Sequence, residues 1–281
     1  MAGPTNSGPP RPPSPRPAPT QAAKPASTPL GISRGLQNAA HKIVLYGPGG
    51  AGKSKLCSLL SQVGIEPLFL DLENGTKFLD VSRVNVETWD DLRATLHNTE
   101  LLAPFGAVVI DSGTKAEELA IAWMLENIKH EKGQKCESIE DYGFGKGYTH
   151  LYETFMLMVN DLDAIARSGK HVIIVCHDCT CNVPNPASED YLRFEPRLQS
   201  PASGKFSIRH RVREWCDHML AIMFDVAINK DGKAKGSGTR AIYTSERPTH
   251  LAKSRTLDEV VVYVDNDATI WTKLNLNNEG I

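Results

Sequence analysis

The chain has 281 residues, of which 41% are hydrophobic, enough for one large globular domain or two small ones. Its net charge of −2 excludes a globally basic binder of nucleic acid and leaves that role to local basic loops. No apolar run approaches the roughly 18 to 20 residues of a membrane span, and the N-terminus carries no secretory apolar stretch, so a cytoplasmic location without a membrane partner is expected.

Residues 1–38 hold ten of the eighteen prolines, no acidic residue and almost no large apolar side chain. Such a segment cannot bury enough surface to offset its chain entropy. A disordered, weakly basic tail (Arg11, Arg16, Lys24, Arg34) is expected, either a tether for a partner or a solvated leader. Residues 39–281 read as one domain.

From His41 onward, apolar runs of four to eight residues alternate with amphipathic stretches, the pattern of an α/β domain with a mostly parallel sheet. The first run, Lys42–Tyr46, leads into Gly47-Pro48-Gly49-Gly50-Ala51-Gly52-Lys53-Ser54, which matches G-x-x-x-x-G-K-[ST] at every fixed position. A helical stretch over 53–63 follows, the context this phosphate-binding loop requires. Glycines let backbone N–H groups converge on phosphates, and the helix start turns its positive dipole end toward them. Lys53 is expected on the β and γ phosphates and Ser54 on Mg²⁺, with Lys55 counted in the same loop.

The run Pro67–Asp71 ends in Asp71-Leu72-Glu73, whose carboxylates alternate with apolar residues. Glu73 is the candidate general base, against the alternative of a solvated Glu before the Asn74-Gly75 turn. After a helix near 89–98, the run Ala107–Asp111 has the look of a buried strand ending in an acid. Asp111 is expected to hold the magnesium hydration shell, against the alternative of capping the next helix, for which Ser112 and Thr114 are also available. Helices are expected near 114–130 and 147–168; the second spaces Leu151, Phe155, Met158, Leu162 and Ile165 by three or four. The run His171–Cys176 then places His177 at a strand end, where it either senses the γ-phosphate or caps a loop.

The segment from His177 to Phe206 is long for a loop in a compact domain. It and the stretch after it interleave aromatic and basic residues: Arg193, Phe194, Arg197, Lys205, Arg209 and Arg211. Rings stack on bases while cations neutralise phosphates, so these are the candidate single-strand contacts; a lid or subunit-contact loop is the alternative. Beyond 206 the sequence reads as a short helix near 208–217, then strands at Met219–Asn229, Thr239–Ser245, Glu259–Val264 and Thr269–Leu274. The last two form a hairpin at Asp265-Asn266-Asp267. The turn Lys230–Lys235 with Arg240 is a second basic site or a plain solvated hairpin. Cys176, Cys179 and Cys181 lack the fourth ligand of a structural zinc site unless Cys216 or His218 joins them across the long loop.

Taken in order, the phosphate loop, Asp-Leu-Glu-Asn, Val-Val-Ile-Asp-Ser and the polar strand end at His177 resemble the RecA-like ATPase core. Gly113-Thr114 and Ala252-Lys253-Ser254-Arg255 make the likeness strongest to phage-encoded RecA-like ATP-binding proteins of single-strand annealing and recombination. The resemblance covers about residues 40–275. It implies ATP and Mg²⁺ as cofactors, ATP hydrolysis, a ring or filament of identical subunits, and single-stranded DNA with a single-strand-binding protein as partners. It implies Glu73 as catalytic glutamate, Asp111 as the magnesium acid, and His177 where RecA carries a glutamine that reports nucleotide state. Lys253 and Arg255 look like the basic pair that such subunits insert into a neighbour's site, or are a solvated pair. A shorter chain, the His at the glutamine position and the lack of RecA's C-terminal domain put full strand exchange in doubt. Other readings of a phosphate loop are a nucleotide-dependent assembly switch with little turnover, and a small-molecule kinase.

Overall fold

Four runs of mostly aliphatic residues, buried throughout apart from the first residue Lys42, build the centre of the sheet: β1 (Lys42–Tyr46), β2 (Pro67–Asp71), β4 (Ala107–Asp111) and β5 (His171–Cys176). Burial on both faces is the mark of a parallel sheet covered by helices. In this computed structural model the described residues are Arg34, 39–202, 204–228 and 234–276, without the side chains of 226–237. The tail expected over 1–38 lies outside them apart from Arg34, as do the side chains of the basic turn 230–235.

The remaining elements are α1 (Lys53–Ser58), β3 (Ser82–Asn85), α2 (Trp89–His97), α3 (Thr99–Leu102), α4 (Gly113–Asn127), α5 (Lys146–Arg167), β6 (Asp178–Val183), β7 (Tyr191–Pro196), α6 (Ile208–Trp215), β8 (His218–Ile228), β9 (Ala234–Tyr243), β10 (Val260–Tyr263) and α7 (Thr269–Lys273). The main sheet runs β10-β9-β8-β1-β5-β4-β2-β3. Six strands, β8 through β3, are parallel. The strands β9 and β10 add on antiparallel, so the C-terminal β-rich part extends the same sheet. This is an α/β fold with a mostly parallel central sheet.

Helices cover both faces. On one side α2, α4, α5 and α6 pack Trp89, Met124, Phe155 and Trp215 against the even-facing strand residues Val44, Leu70, Ile110 and Ile174. On the other, α1, the 3₁₀ turn Leu59–Val63 that follows it, and α7 with its cap residue Leu274 pack Leu56, Leu60, Trp271 and Leu274 against Leu45, Phe69, Val109 and Val175. Each fully buried Leu, Ile or Phe contributes roughly 1.5–3 kcal/mol through the hydrophobic effect. Local signals start the helices as expected: Thr88 accepts from the Asp91 amide at the head of α2, and Ser112 accepts from the Lys115 amide at the head of α4.

Two sequence expectations are corrected. Thr269–Leu274 is a helix rather than the second strand of a hairpin. Ile270, Trp271 and Leu274 recur with helical spacing toward the core, and Asp267 accepts from the Thr269 amide to start the turn. The edge strand β10 pairs with β9 instead. The segment after His177 is not a structureless loop: β6 and β7 pair over six residues as a separate antiparallel hairpin.

The end of the sheet where β1, β5 and β8 begin carries a buried histidine cluster. The His41 amide donates to His171 Nδ1 at 3.0 Å, His41 Nδ1 and His218 Nε2 share a hydrogen bond of 2.8 Å, and His218 Nδ1 lies 2.8 Å from Ser254 Oγ. Burial holds His171 and His218 down to about 4, with the neighbouring His41 adding to the shift. Among the described residues no helix is long and apolar enough to cross a membrane.

Candidate active site

The loop between β1 and α1 sits where the carboxyl ends of β1, β2, β4 and β5 meet, the usual ligand crevice of an open α/β sheet. Two of its glycines are demanded by close approach. A Cβ on Gly47 would lie 2.1 Å from the Ile222 carbonyl oxygen of β8. At Gly52 the backbone is left-handed (φ 98°), and a Cβ would lie 2.8 Å from the Tyr263 hydroxyl. Lys53 Nζ donates to the carbonyls of Gly47 and Pro48, both at 2.8 Å, which arches the ammonium over the loop. Burial lowers its pKa, and Asp111 and Asp178 oppose that shift.

A cavity of about 300 Å³ opens over this loop, lined among others by Gly50, Lys53, Ser54, Glu73, Asp111 and His177. It brings together most of the residues singled out from the sequence as nucleotide-binding, metal-binding or catalytic. A larger apolar cavity of about 710 Å³ between α2, α3 and α5 contains none of them.

Asp111, 7% exposed, ends β4 beside Ser54. Burial raises its carboxyl above the ordinary range, while the Ser54 hydroxyl and Lys53 pull it back. Its Oδ2 is buried without a hydrogen-bond partner. An orphaned carboxylate oxygen next to a hydroxyl is a hard-donor pair, so these residues fit Mg²⁺, although among the described residues no cluster of three or more acid, His or Cys side chains could hold a metal alone. That agrees with an ion that keeps several waters and takes phosphate oxygens. Ser112 caps α4, so Asp111 is not spent on capping.

Glu73 follows β2. Its Oε1 accepts a short hydrogen bond from Ser112 Oγ, and His177 Nε2 stands 3.2 Å from each of its carboxylate oxygens. Burial works to raise its pKa; the hydrogen bonds from Ser112 and His177, then the charges of His177 and Lys53, outweigh burial and lower it. The carboxylate is therefore ionised and aimed into the crevice, as a base requires. Asp71 does not share this role. It accepts from the amides of Glu73, Gly75 and Thr76 and from the Thr76 hydroxyl, which fixes the turn that carries Glu73.

His177 joins this centre to the β6–β7 hairpin. Its amide donates to Thr114 Oγ1 at 3.1 Å, and its carbonyl accepts from the Arg197 amide at 2.8 Å. The hairpin's cations are not all free for phosphate. Arg193 is 7% exposed and bonds Glu195 and Glu246; Arg209 bonds Glu195 and the Leu198 carbonyl. Both were expected at the surface, and both are taken up by the buried Glu195 carboxylate, the pairing that burial of a guanidinium requires. Arg197, Lys205 and Arg211 are exposed, as are Phe194 at 41% and Phe206 at 45%.

Lys253 and Arg255 stand at the opposite end of the sheet. Lys253 pairs with Met219 near the start of β8, and Arg255 donates to Asp217 at 2.9 Å. Within one chain they are not brought to the phosphate loop. A residue that sequence reasoning placed elsewhere is: Arg240 of β9 donates to the Ala51 carbonyl at 2.9 Å, pairs with Asp265 at 2.6 Å and lies over the Tyr263 ring. Tyr263 Oη donates to the Gly52 carbonyl at 3.3 Å. The only sequence signal was a lone arginine beside a basic turn, which the register of a distant strand pairs with the loop.

No curated protein matches the sequence. A solved structure, the flagellar accessory protein FlaH from Methanocaldococcus jannaschii, is 11% identical over 80% of this chain and 90% of its own, with a TM-score of 0.36. Residues 39–256 match the family described as AAA domain. The phosphate loop and the strand-end acid accord with that match, and the chain belongs to the AAA domain family of P-loop NTPases.

Proposed function

We propose that the chain is an Mg-ATP-dependent ATPase that acts on single-stranded DNA in recombination or annealing, as a homo-oligomer. The observation that carries the ATPase reading is the Glu73 carboxylate, held by Ser112 and His177 in the same crevice as Lys53, Ser54 and Asp111. ATP lies with its phosphates on the loop amides. Lys53 swings from the Gly47 and Pro48 carbonyls to the β and γ phosphates, and Glu73 orients a water and takes its proton as it attacks the γ-phosphorus. Bound through Ser54 and Asp111, Mg²⁺ would neutralise charge on the phosphate oxygens.

The DNA reading rests on the hairpin that leaves the site at His177. Loss of the γ-phosphate changes what Glu73 and His177 bond to, and Arg197 carries that change into β7. Phe194, Phe206, Arg197 and Arg211 are the side chains offered to bases and phosphates. The oligomer reading has Lys253 and Arg255 of one copy facing a neighbour's phosphates, since they stand far from their own loop.

The test is ATP hydrolysis with and without single-stranded DNA, with Lys53→Ala as the blank. DNA-stimulated turnover that the variant lacks is the expected result. Turnover indifferent to DNA, with no DNA bound in the presence of ATP, would refute the recombination reading and leave an ATPase of another kind.

A further inference from the structure

The four cysteines at 57, 136, 176 and 216 are buried; Cys179 and Cys181 are not. They sit two apart on β6, so both side chains leave the same face of the strand. Their sulfurs are 3.6 Å apart. Arg209 from α6 bridges them, with Nη1 2.7 Å from Cys181 Sγ and Nη2 3.6 Å from Cys179 Sγ. Glu195 and the Leu198 carbonyl hold that guanidinium in place. Cys181 also lines a cavity of about 580 Å³ with Ser200, Pro201, Gly204 and His210, which gives a small molecule access to it.

The geometry points to Cys179 and Cys181 as a reversible dithiol–disulfide site that reacts with low-molecular-weight disulfides. The two sulfurs have different roles. Cys181 makes the shorter contact to Arg209 and lines the cavity, so it is the sulfur that an incoming disulfide meets first. Cys179 keeps its proton: burial pushes its thiol up to about 11 against the pull of Arg209, and it points to the Pro196 carbonyl at 3.7 Å. Cys181 attacks one sulfur of the incoming disulfide, that S–S bond breaks, and one small thiol leaves carrying the Cys181 proton. Cys179 then attacks Cys181 Sγ in the mixed disulfide and expels the second small thiolate, which takes up the Cys179 proton. Two protein thiols are oxidised and one small disulfide is reduced to two thiols.

Closure requires the sulfurs to move from 3.6 Å to about 2.05 Å. The bond would span Thr180 on β6, where Cys179 faces Glu195 and Cys181 faces Arg193 of β7.

The experiment treats the native full chain with 5,5′-dithiobis(2-nitrobenzoate), then measures released thionitrobenzoate and intact mass. The expected result is two equivalents released per chain, a mass lower by two hydrogens with no adduct, and restoration by dithiothreitol. Tandem mass spectrometry of the tryptic peptide 171–193 places the bond between Cys179 and Cys181, leaving Cys176 free for alkylation after unfolding. Cys179→Ser is expected to keep one stable thionitrobenzoate on Cys181. Adducts that persist on the wild type, a bond to Cys176, or no release from the native chain would each overturn the assignment, and the wild-type measurement decides it even if the variant fails to fold.

Discussion

His177 Nε2 stands 3.2 Å from both carboxylate oxygens of Glu73, linking the end of β5 to the turn after β2 across the mouth of the crevice. In the proposed mechanism this contact would couple two places: the water that attacks ATP, and the hairpin that begins at Asp178. Glu73→Gln is therefore expected to lower ATP turnover by about 10²- to 10⁴-fold while ATP binding persists. Steady-state hydrolysis beside equilibrium binding checks this. Retained turnover would move the base elsewhere, and an already negligible wild-type rate would favour the assembly switch.

His177→Ala leaves Glu73 with Ser112 alone and cuts the imidazole out of the path to Arg197. The expected signature is a fall in kcat with KM for ATP little changed, together with loss of any stimulation by DNA. A rise in KM alone would make His177 a binding residue instead.

Asp111→Asn keeps the shape of the strand end but removes the charge that faces Ser54. The magnesium concentration giving half-maximal activity is expected to rise about 10- to 100-fold, on the scale of losing one partner at a metal site. A magnesium titration of initial rates reads this directly. An unchanged titration would separate Asp111 from the ion.

Arg240→Ala removes a hydrogen bond to the Ala51 carbonyl, an ion pair with Asp265 and the stacking on Tyr263. Charge-assisted hydrogen bonds of this kind are worth about 1.5–3 kcal/mol. A lower denaturation midpoint and weaker ATP binding are expected together. Gly52→Ala, which drives a methyl to 2.8 Å from Tyr263 Oη, should weaken ATP binding by the same route.

The histidine cluster sets a pH limit. His171 and His218 of that cluster, and His250 packed separately against Tyr243, are held at about 4 in the folded chain, with burial the largest cause in each, against about 6.5 when unfolded. The unfolded state binds more protons between those values, so stability is fully present above pH 6.5 and is lost as pH falls toward 4. Each neutral histidine contributes a slope of up to about 1.4 kcal/mol per pH unit in that window. Denaturant melts at pH 7, 6 and 5 should show a falling midpoint, and His218→Asn should flatten the slope.

What the sequence carried plainly was whatever local chemistry fixes. Buried aliphatic runs gave β1, β2, β4 and β5 to the residue, and Leu151, Phe155, Met158, Leu162 and Ile165 all face the core from α5. The phosphate loop announced itself because glycine, lysine and serine are needed at fixed spacing. Three features were hidden for different reasons. The strand β3 is a short, half-buried edge with no clear alternation. The α7 residues Ile270, Trp271 and Thr272 have strand-like propensity that core packing overrides. Arg193 and Arg240 have partners 53 and 189 positions away, set by strand register and not by neighbours in sequence.

The brace on the phosphate loop has a temporal consequence. Arg240, Tyr263 and Trp271 bond to Ala51, Gly52 and Leu56, which precede them by 189, 211 and 215 positions. At about 5–20 residues per second of synthesis, the loop leaves the ribosome roughly 10 to 40 seconds before its last support is made. For that interval the glycine-rich segment lacks these three contacts, and if it binds ATP as proposed, the fully braced binding site exists only after β9, β10 and α7 have docked.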